Sequence, residues 1–237
     1  AGAFQGNKVI QRIEIPACIN RIDHETFRDC KNLQKIVIPP TITSIGEEAF
    51  TGSGIALNEN KWKKGALIID DCLIATNNEL PAKYVFKNKT PIRLIAERAF
   101  ANKKNLKSVE IPNTITTIPT AAFMGCENLT DVVIPATVKT VGNFAFYNCV
   151  KLRNAKLPTE LERLGAGVFY GCENLTEQVL SEKLQSIEKA AFFMCRSIKK
   201  ITFPARLKRI DDGAFPGCRS LEAINLPSSL QYLGEQA

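Results

Sequence analysis

The 237-residue chain has one histidine, one tryptophan and two methionines. His24 stands in Asp23-His24-Glu25, a cluster that acid–base chemistry could use. No second imidazole exists from which a Ser–His–Asp set could be assembled elsewhere. No apolar run approaches the roughly 18 residues a membrane-spanning helix needs. The chain opens Ala-Gly-Ala-Phe-Gln-Gly, without the basic and then apolar stretch of a secretory leader. The eight cysteines lack the closely paired spacing of zinc ligands. No glycine-rich phosphate loop is present. These absences argue against an enzyme, a metal site and a cofactor.

Hydrophobic residues make up 45% and charged residues 23%, ordinary values for a chain that buries a core. The formal net charge is +7 and the pI about 9.0, which permits contact with an anionic partner.

What the chain has in quantity is one repeated sentence. Phenylalanine recurs at 4, 27, 50, 100, 123, 146, 169, 192 and 215, always 23 residues apart except for the 50-residue step between Phe50 and Phe100. Other columns keep phase with it. In the copy opened by Phe123 these are Cys126, Leu129, Val132, Ile134, Pro135, Val138 and Val141. Two departures stand out: Gln178 in the column of Val132, and Ser181 in the column of Pro135.

Each copy reads as one coil of a solenoid, unable to bury its own apolar face until its neighbours stack on it. The branched pair of period two, as in Val132 and Ile134, predicts a short strand with both side chains inward, and proline then ends it. Gly46, Gly142, Gly165 and Gly234 are expected at turns of positive φ. The Ala-Phe-x-x-Cys segment is expected to be a helical or 3-10 turn. His24 falls in an exposed turn before Phe27, equivalent to Gly46-Glu47-Glu48. Residues 51–99 form one irregular long coil. In it Ala66–Ala75 predicts a hairpin around Asp70-Asp71, Tyr84-Val85-Phe86 predicts a strand, and Ile92 and Ile95 recover the frame. The polar, lysine-rich segments 58–64 and 87–93 are expected to bulge outward.

Both ends are in phase, with Ala3-Phe4 at one and Ala237 where the alanine before another phenylalanine belongs. A single solenoid over 1–237 is therefore expected, as a fragment of a longer repeat chain.

The pattern Ala-Phe-x-x-Cys-x-x-Leu-x-x-Val-x-Ile-Pro-x-x-Val-x-x-Val-Gly at 122–142 resembles the BspA-like class of leucine-rich repeats. Trp62, Gly65-Ala66-Leu67-Ile68 and Cys72-Leu73-Ile74 resemble the irregular module interspersed in that class. The resemblance implies an α/β leucine-rich-repeat solenoid, horseshoe-like, with short parallel strands, turns and short helical or 3-10 pieces. It also implies a cell-surface or secreted, non-enzymatic protein that binds a protein partner such as a host extracellular-matrix or cell-surface component. It carries no catalytic residues.

Three sets of side chains are candidates for individual chemistry. Cys30, Cys126, Cys149, Cys172, Cys195 and Cys218 share one column and read as a buried ladder of free thiols, although one rung of separation lies within disulfide reach. Cys18 and Cys72 fall outside it and are expected to be the more reactive. The outward strand positions, among them Lys35, Asp131, Lys156 and Lys200, mix charge signs and lack aromatics. That face suits a protein partner better than a nucleic acid, which would want stacking rings among basic residues. The residue after each phenylalanine becomes Met124, Tyr147, Tyr170 and Phe193 in four consecutive coils. If exposed, this stripe is a contact patch for a protein or a sugar. If it only packs across coils, the solenoid is an inert spacer that presents another domain. Sequons at Asn88, Asn128 and Asn174 are by-products of the repeat or isolated, and carry little weight.

Overall fold

The computed structural model describes residues 1–86, 91–153 and 155–237. It is a solenoid of short, mostly parallel strands with almost no helix. The strand column follows from alternation: Ile36 is buried in Lys35–Val37 while its two neighbours are exposed, and Val132 sits likewise in Asp131–Val133. Register steps by one repeat, pairing Arg12 with Lys35, Ser108 with Asp131 and Glu177 with Lys200. A second column of two-residue strands, such as Thr140–Val141, lies beyond the proline and buries its second residue.

The Ala-Phe-x-x-Cys segment is not helical. Residues two before and two after every repeat phenylalanine have positive φ, for example Ala121 (52°) and Gly125 (69°) around Phe123. Successive amides therefore point alternately along the stack and back into their own turn. Ala121, Phe123 and Gly125 donate to the next coil's Asn143, Ala145 and Tyr147 carbonyls at 2.8, 2.8 and 2.7 Å. Met124 and Cys126 donate locally, to Ala121 and Phe123, both at 3.1 Å. A helix would keep every amide within its own coil. Here the turn satisfies its backbone by stitching coils together.

The interior is a stack of rings. Phe123, Phe146, Phe169 and Phe192 are fully buried, with successive centroids 5.4, 5.5 and 5.6 Å apart. Beside them the thiols are free and buried. Each Sγ donates to the phenylalanine carbonyl of the preceding coil, as Cys149 does to Phe123 at 3.1 Å and Cys172 to Phe146 at 3.1 Å. Desolvation pushes Cys126 up to about 12 and Cys149 well above the ordinary thiol value. Cys18 is exposed as expected, but Cys72 is not a reactive thiol. It is buried in the strand Cys72–Thr76 and pushed up to about 12 by desolvation.

The expectation for Gly46, Gly142, Gly165 and Gly234 is also corrected: none of the four has positive φ. They are glycine because coils approach too closely there for a side chain. A Cβ on Gly142 would lie 2.6 Å from the Thr120 nitrogen, and one on Gly165 2.5 Å from that of Asn143.

The long coil holds the antiparallel hairpin Ala66–Ile69 and Cys72–Thr76, turning at Asp70 (φ 52°). Both faces are apolar because it divides two cores. Ala66 and Leu73 join the C-terminal cluster, whereas Leu67, Cys72 and Ile74 join the N-terminal one. Lys83–Val85 forms the expected strand, and Ile92 and Ile95 are buried in frame. Residues 58–64 are not a plain loop: they contain the 3-10 turn Glu59–Lys61 and the strand Trp62–Lys63, paired with Leu67 and Ala66. The 87–93 expectation fails where it can be seen. Arg93 turns inward, donating to Asp71 at 2.7 Å and to the Pro39 and Ile42 carbonyls. Residues 87–90, Asn88 among them, lie outside the described residues.

Candidate interaction surface

The side chain after each phenylalanine points away from the ring stack, over the stitched turns. In the first coils this surface is ionic. Arg28 pairs with Glu25 at 2.6 Å and with Glu48, and Arg98 pairs with Glu47 at 3.4 Å. The hydrogen bond that Arg28 donates to Glu25 and the charge of Glu48 hold its guanidinium's pKa above the usual value. Arg98 also reaches the Met124 sulfur at 3.3 Å, where the surface changes character.

From there the surface is aromatic. Tyr147 stacks on Tyr170 with centroids 4.7 Å apart, and Tyr170 on Phe193 at 4.6 Å. All three rings and Met124 are half-buried, so the stripe both packs across coils and meets solvent. Tyr170 has a stacked ring on each face, which leaves its edge to meet solvent. Sugar recognition by stacking needs a free ring face. A protein surface can instead use rigid amphipathic edges with little entropy to lose.

Two members of this surface were missed in the sequence. Phe144 is exposed, stands edge-on to Tyr147 with centroids 5.9 Å apart, and holds φ at 56°. A bulky side chain in the left-handed region is uncommon and strained. It is accommodated because Gly167, directly above, has no Cβ, which would lie 2.5 Å from the Phe144 ring. Met194 likewise has positive φ (58°), in a column otherwise filled by glycine, asparagine or aspartate. That column was readable as a pattern. The position of Phe144 was not, because glycine, glutamate, arginine and alanine also occur there.

The strand-face candidates are not brought together. Lys35, Asp131 and Lys200 are exposed on three separate sheets, and Lys156 is exposed in no strand at all. His24 is exposed in its turn. Among the described residues no cluster of potential metal ligands occurs, and no helix is long and apolar enough to cross a membrane.

The comparisons agree with this geometry. Among curated proteins none matches the chain. A leucine-rich repeat protein of T. pallidum is 27% identical, with a TM-score of 0.65, over 75% of this chain and 85% of that one. A leucine-rich cell surface protein of Faecalibacterium prausnitzii is 22% identical (TM-score 0.52) over 94% of this chain and 61% of its own. The pneumococcal vaccine antigen PcpA is 18% identical (TM-score 0.52), with 95% and 62% covered. The latter two likenesses show the fold alone. Leucine-rich-repeat proteins generally act as protein-interaction scaffolds, and this class is typically non-enzymatic. The model of the BspA type leucine-rich repeat region, in six copies, matches residues 1–92, 93–215 and 187–237, and the chain belongs to that family.

Proposed function

We propose that this chain is a non-enzymatic adhesion scaffold of a surface or secreted protein, and that it grips a host matrix or cell-surface protein through its aromatic turn surface. The observation that carries the reading is the run Met124, Tyr147, Tyr170 and Phe193: four consecutive coils place a half-exposed, largely apolar side chain at one position. Exposed Phe144, held in a strained conformation, widens that patch. The cell-surface name of the Faecalibacterium prausnitzii relative supports the location. Lys35, Asp131, Lys156 and Lys200 would act as separate, weaker contacts on the strand face.

The test is a binding screen of the chain against immobilised matrix and cell-surface proteins, repeated with Tyr147→Ser/Tyr170→Ser. Removing two hot-spot rings should weaken capture by about 30-fold or more, the effect of roughly 2 kcal/mol. An unchanged circular dichroism spectrum and a cooperative melt well above the assay temperature would verify the fold. Undiminished capture by the double variant would replace this reading with the inert spacer.

A further inference from the structure

The coil opened by Phe146 breaks from its neighbours at one place. Asp131–Val133 and Glu177–Val179 are strands in the coils on either side, but residues 155–157 form none. Among the described residues Glu177–Val179 consequently pairs only with Lys200–Thr202. In three other coils the residue after the strand donates to the next coil, Ile15 to Val37 at 3.2 Å, and Ile111 to Val133 and Leu180 to Thr202, both at 3.1 Å. The equivalent bond from Leu157 to the Val179 carbonyl is missing. Among the described residues no backbone hydrogen bond joins 155–159 to the 177–181 segment. The strand edge of Glu177–Val179 facing this coil is therefore open.

Both departures from the strand and proline columns, and the small Ala155, meet at this gap. Ala155 is too small to fill its column. Gln178 puts an amide where the other coils carry Ile, Val, Ala or, in the long coil, Tyr84. Ser181 replaces proline and donates to the Thr159 carbonyl at 2.5 Å, holding the two coils together at the far end. Between them lies a cavity of about 490 Å³, its floor supplied by Ala155, Leu157 and Leu180. Gln178 is only 5% exposed. Its Nε2 donates to the Glu177 carbonyl at 2.6 Å, while its Oε1 is buried without a partner. A buried acceptor left unpaired is costly, and aliphatic side chains fill this column in most other coils at no such cost. The rim carries Glu177 and Glu182 against one cation, Lys156.

We propose that this cleft binds an extended basic peptide segment. Its main chain adds to the open edge at Val179, an apolar side chain enters the cavity, and an N–H of the segment donates to Gln178 Oε1. Strand addition to an open sheet edge obtains affinity from main-chain hydrogen bonds and specificity from the pocket beside them. The surplus of rim carboxylates selects basic flanking residues on a chain whose net charge of +7 otherwise repels them. The site lies on the strand side of the coil and uses none of the aromatic stripe, so it stands or falls separately from the adhesion reading.

The experiment titrates ¹⁵N-labelled protein with a blocked heptapeptide of alternating lysine and valine. Saturable shifts are expected at the Val179 amide and the Gln178 side-chain amide. They should be absent with a glutamate–valine counterpart and with a backbone N-methylated lysine–valine peptide. Gln178→Leu, which removes the orphan acceptor, should weaken binding about tenfold. Ala155→Val, which fills the cavity by restoring the column residue, should abolish it, while Tyr147→Ser should leave it unchanged. Absence of saturation at millimolar peptide, shifts that miss 177–181, equal binding of either control peptide, or full affinity in both cleft variants would overturn the proposal.

Discussion

Replacing Phe146 by alanine tests whether the ring stack is the main source of cohesion. Phe146 is fully buried, with rings at 5.4 and 5.5 Å on its two sides. Truncating a buried phenylalanine costs about 3–5 kcal/mol, and each lost stacking partner adds up to about 1 kcal/mol beyond the area term. Phe146→Ala should therefore cost about 4–5 kcal/mol. Phe4 belongs to the same column but is 39% exposed and has one ring neighbour, Phe27, at 5.5 Å. Phe4→Ala should cost only about 1–2 kcal/mol. Stability in a stacked array is approximately a sum over coils and nearest-neighbour interfaces, so the difference should appear as position dependence at constant chemistry. Urea unfolding followed by far-ultraviolet circular dichroism measures it. Trp62 serves as a second probe, since its indole is tied to the Ala56 carbonyl at 2.9 Å in the irregular coil. A loss from Phe146→Ala no larger than that from Phe4→Ala would refute the reasoning.

The two glycine classes and the thiol column give further tests. Gly142→Ala should destabilise by about 1–3 kcal/mol through overpacking against Thr120, although its φ suits any residue. Gly125→Ala should cost about 1–2 kcal/mol chiefly through its positive φ, since the close atom its Cβ would meet, Asn102 Oδ1, belongs to a side chain that can move; thermal melts compare them, and a neutral Gly142→Ala would refute the close-approach account. Burial raises the Cys126 and Cys72 pKa values from the ordinary 9.0 to about 12. The folded chain then holds those protons more tightly than the unfolded one. Their stabilisation is complete below about pH 9 and lost as pH rises toward about 12. Urea midpoints should fall across that window, less steeply in Cys126→Ala, and at pH 8 a thiol reagent should label Cys18 well before the column cysteines.

Much of the architecture was legible because a stacked repeat writes each contact many times over. The 23-residue step of the phenylalanines fixed the coil, and the burial of Ile36 and Val132 between exposed neighbours agrees with the alternation read from the strand. What was misread shares a physical cause: a residue type was assigned the commoner of its two uses. Glycine at 46, 142, 165 and 234 marks close approach instead of positive φ. The positive-φ positions are held by Glu25, Arg98, Ala121 and Phe144 as well as by glycine, because the inter-coil ladder imposes the conformation on whatever stands there. Cys72 lies outside the thiol column and is buried for a different reason, as part of the hairpin wall between two cores. For the contact surface, the Met124–Phe193 stripe was readable from its column, whereas Phe144 was not, since its neighbour across the coil boundary is defined only by the stack.

The unusual side chains gather in adjoining coils, and their costs can be set against what lies beneath them. Phe144 in the left-handed region costs about 1–2 kcal/mol, and the orphaned Gln178 acceptor about 1–3 kcal/mol. Under both, the column of Phe146, Phe169 and Phe192 and the thiol bonds of Cys149, Cys172 and Cys195 run without interruption. A continuous interior tolerates local penalties on its exterior because each coil contacts only its neighbours, and strain in one turn is not transmitted along the stack. Interior and exterior are thus energetically separable. Tyr147→Ser and Tyr170→Ser should change binding at a stability cost of about 1–2 kcal/mol each, well below that of Phe146→Ala, and Gln178→Leu should raise stability while removing a ligand contact. If Gln178→Leu instead destabilised the chain, the amide would be a structural partner of the gap and the cleft would be a flaw in packing.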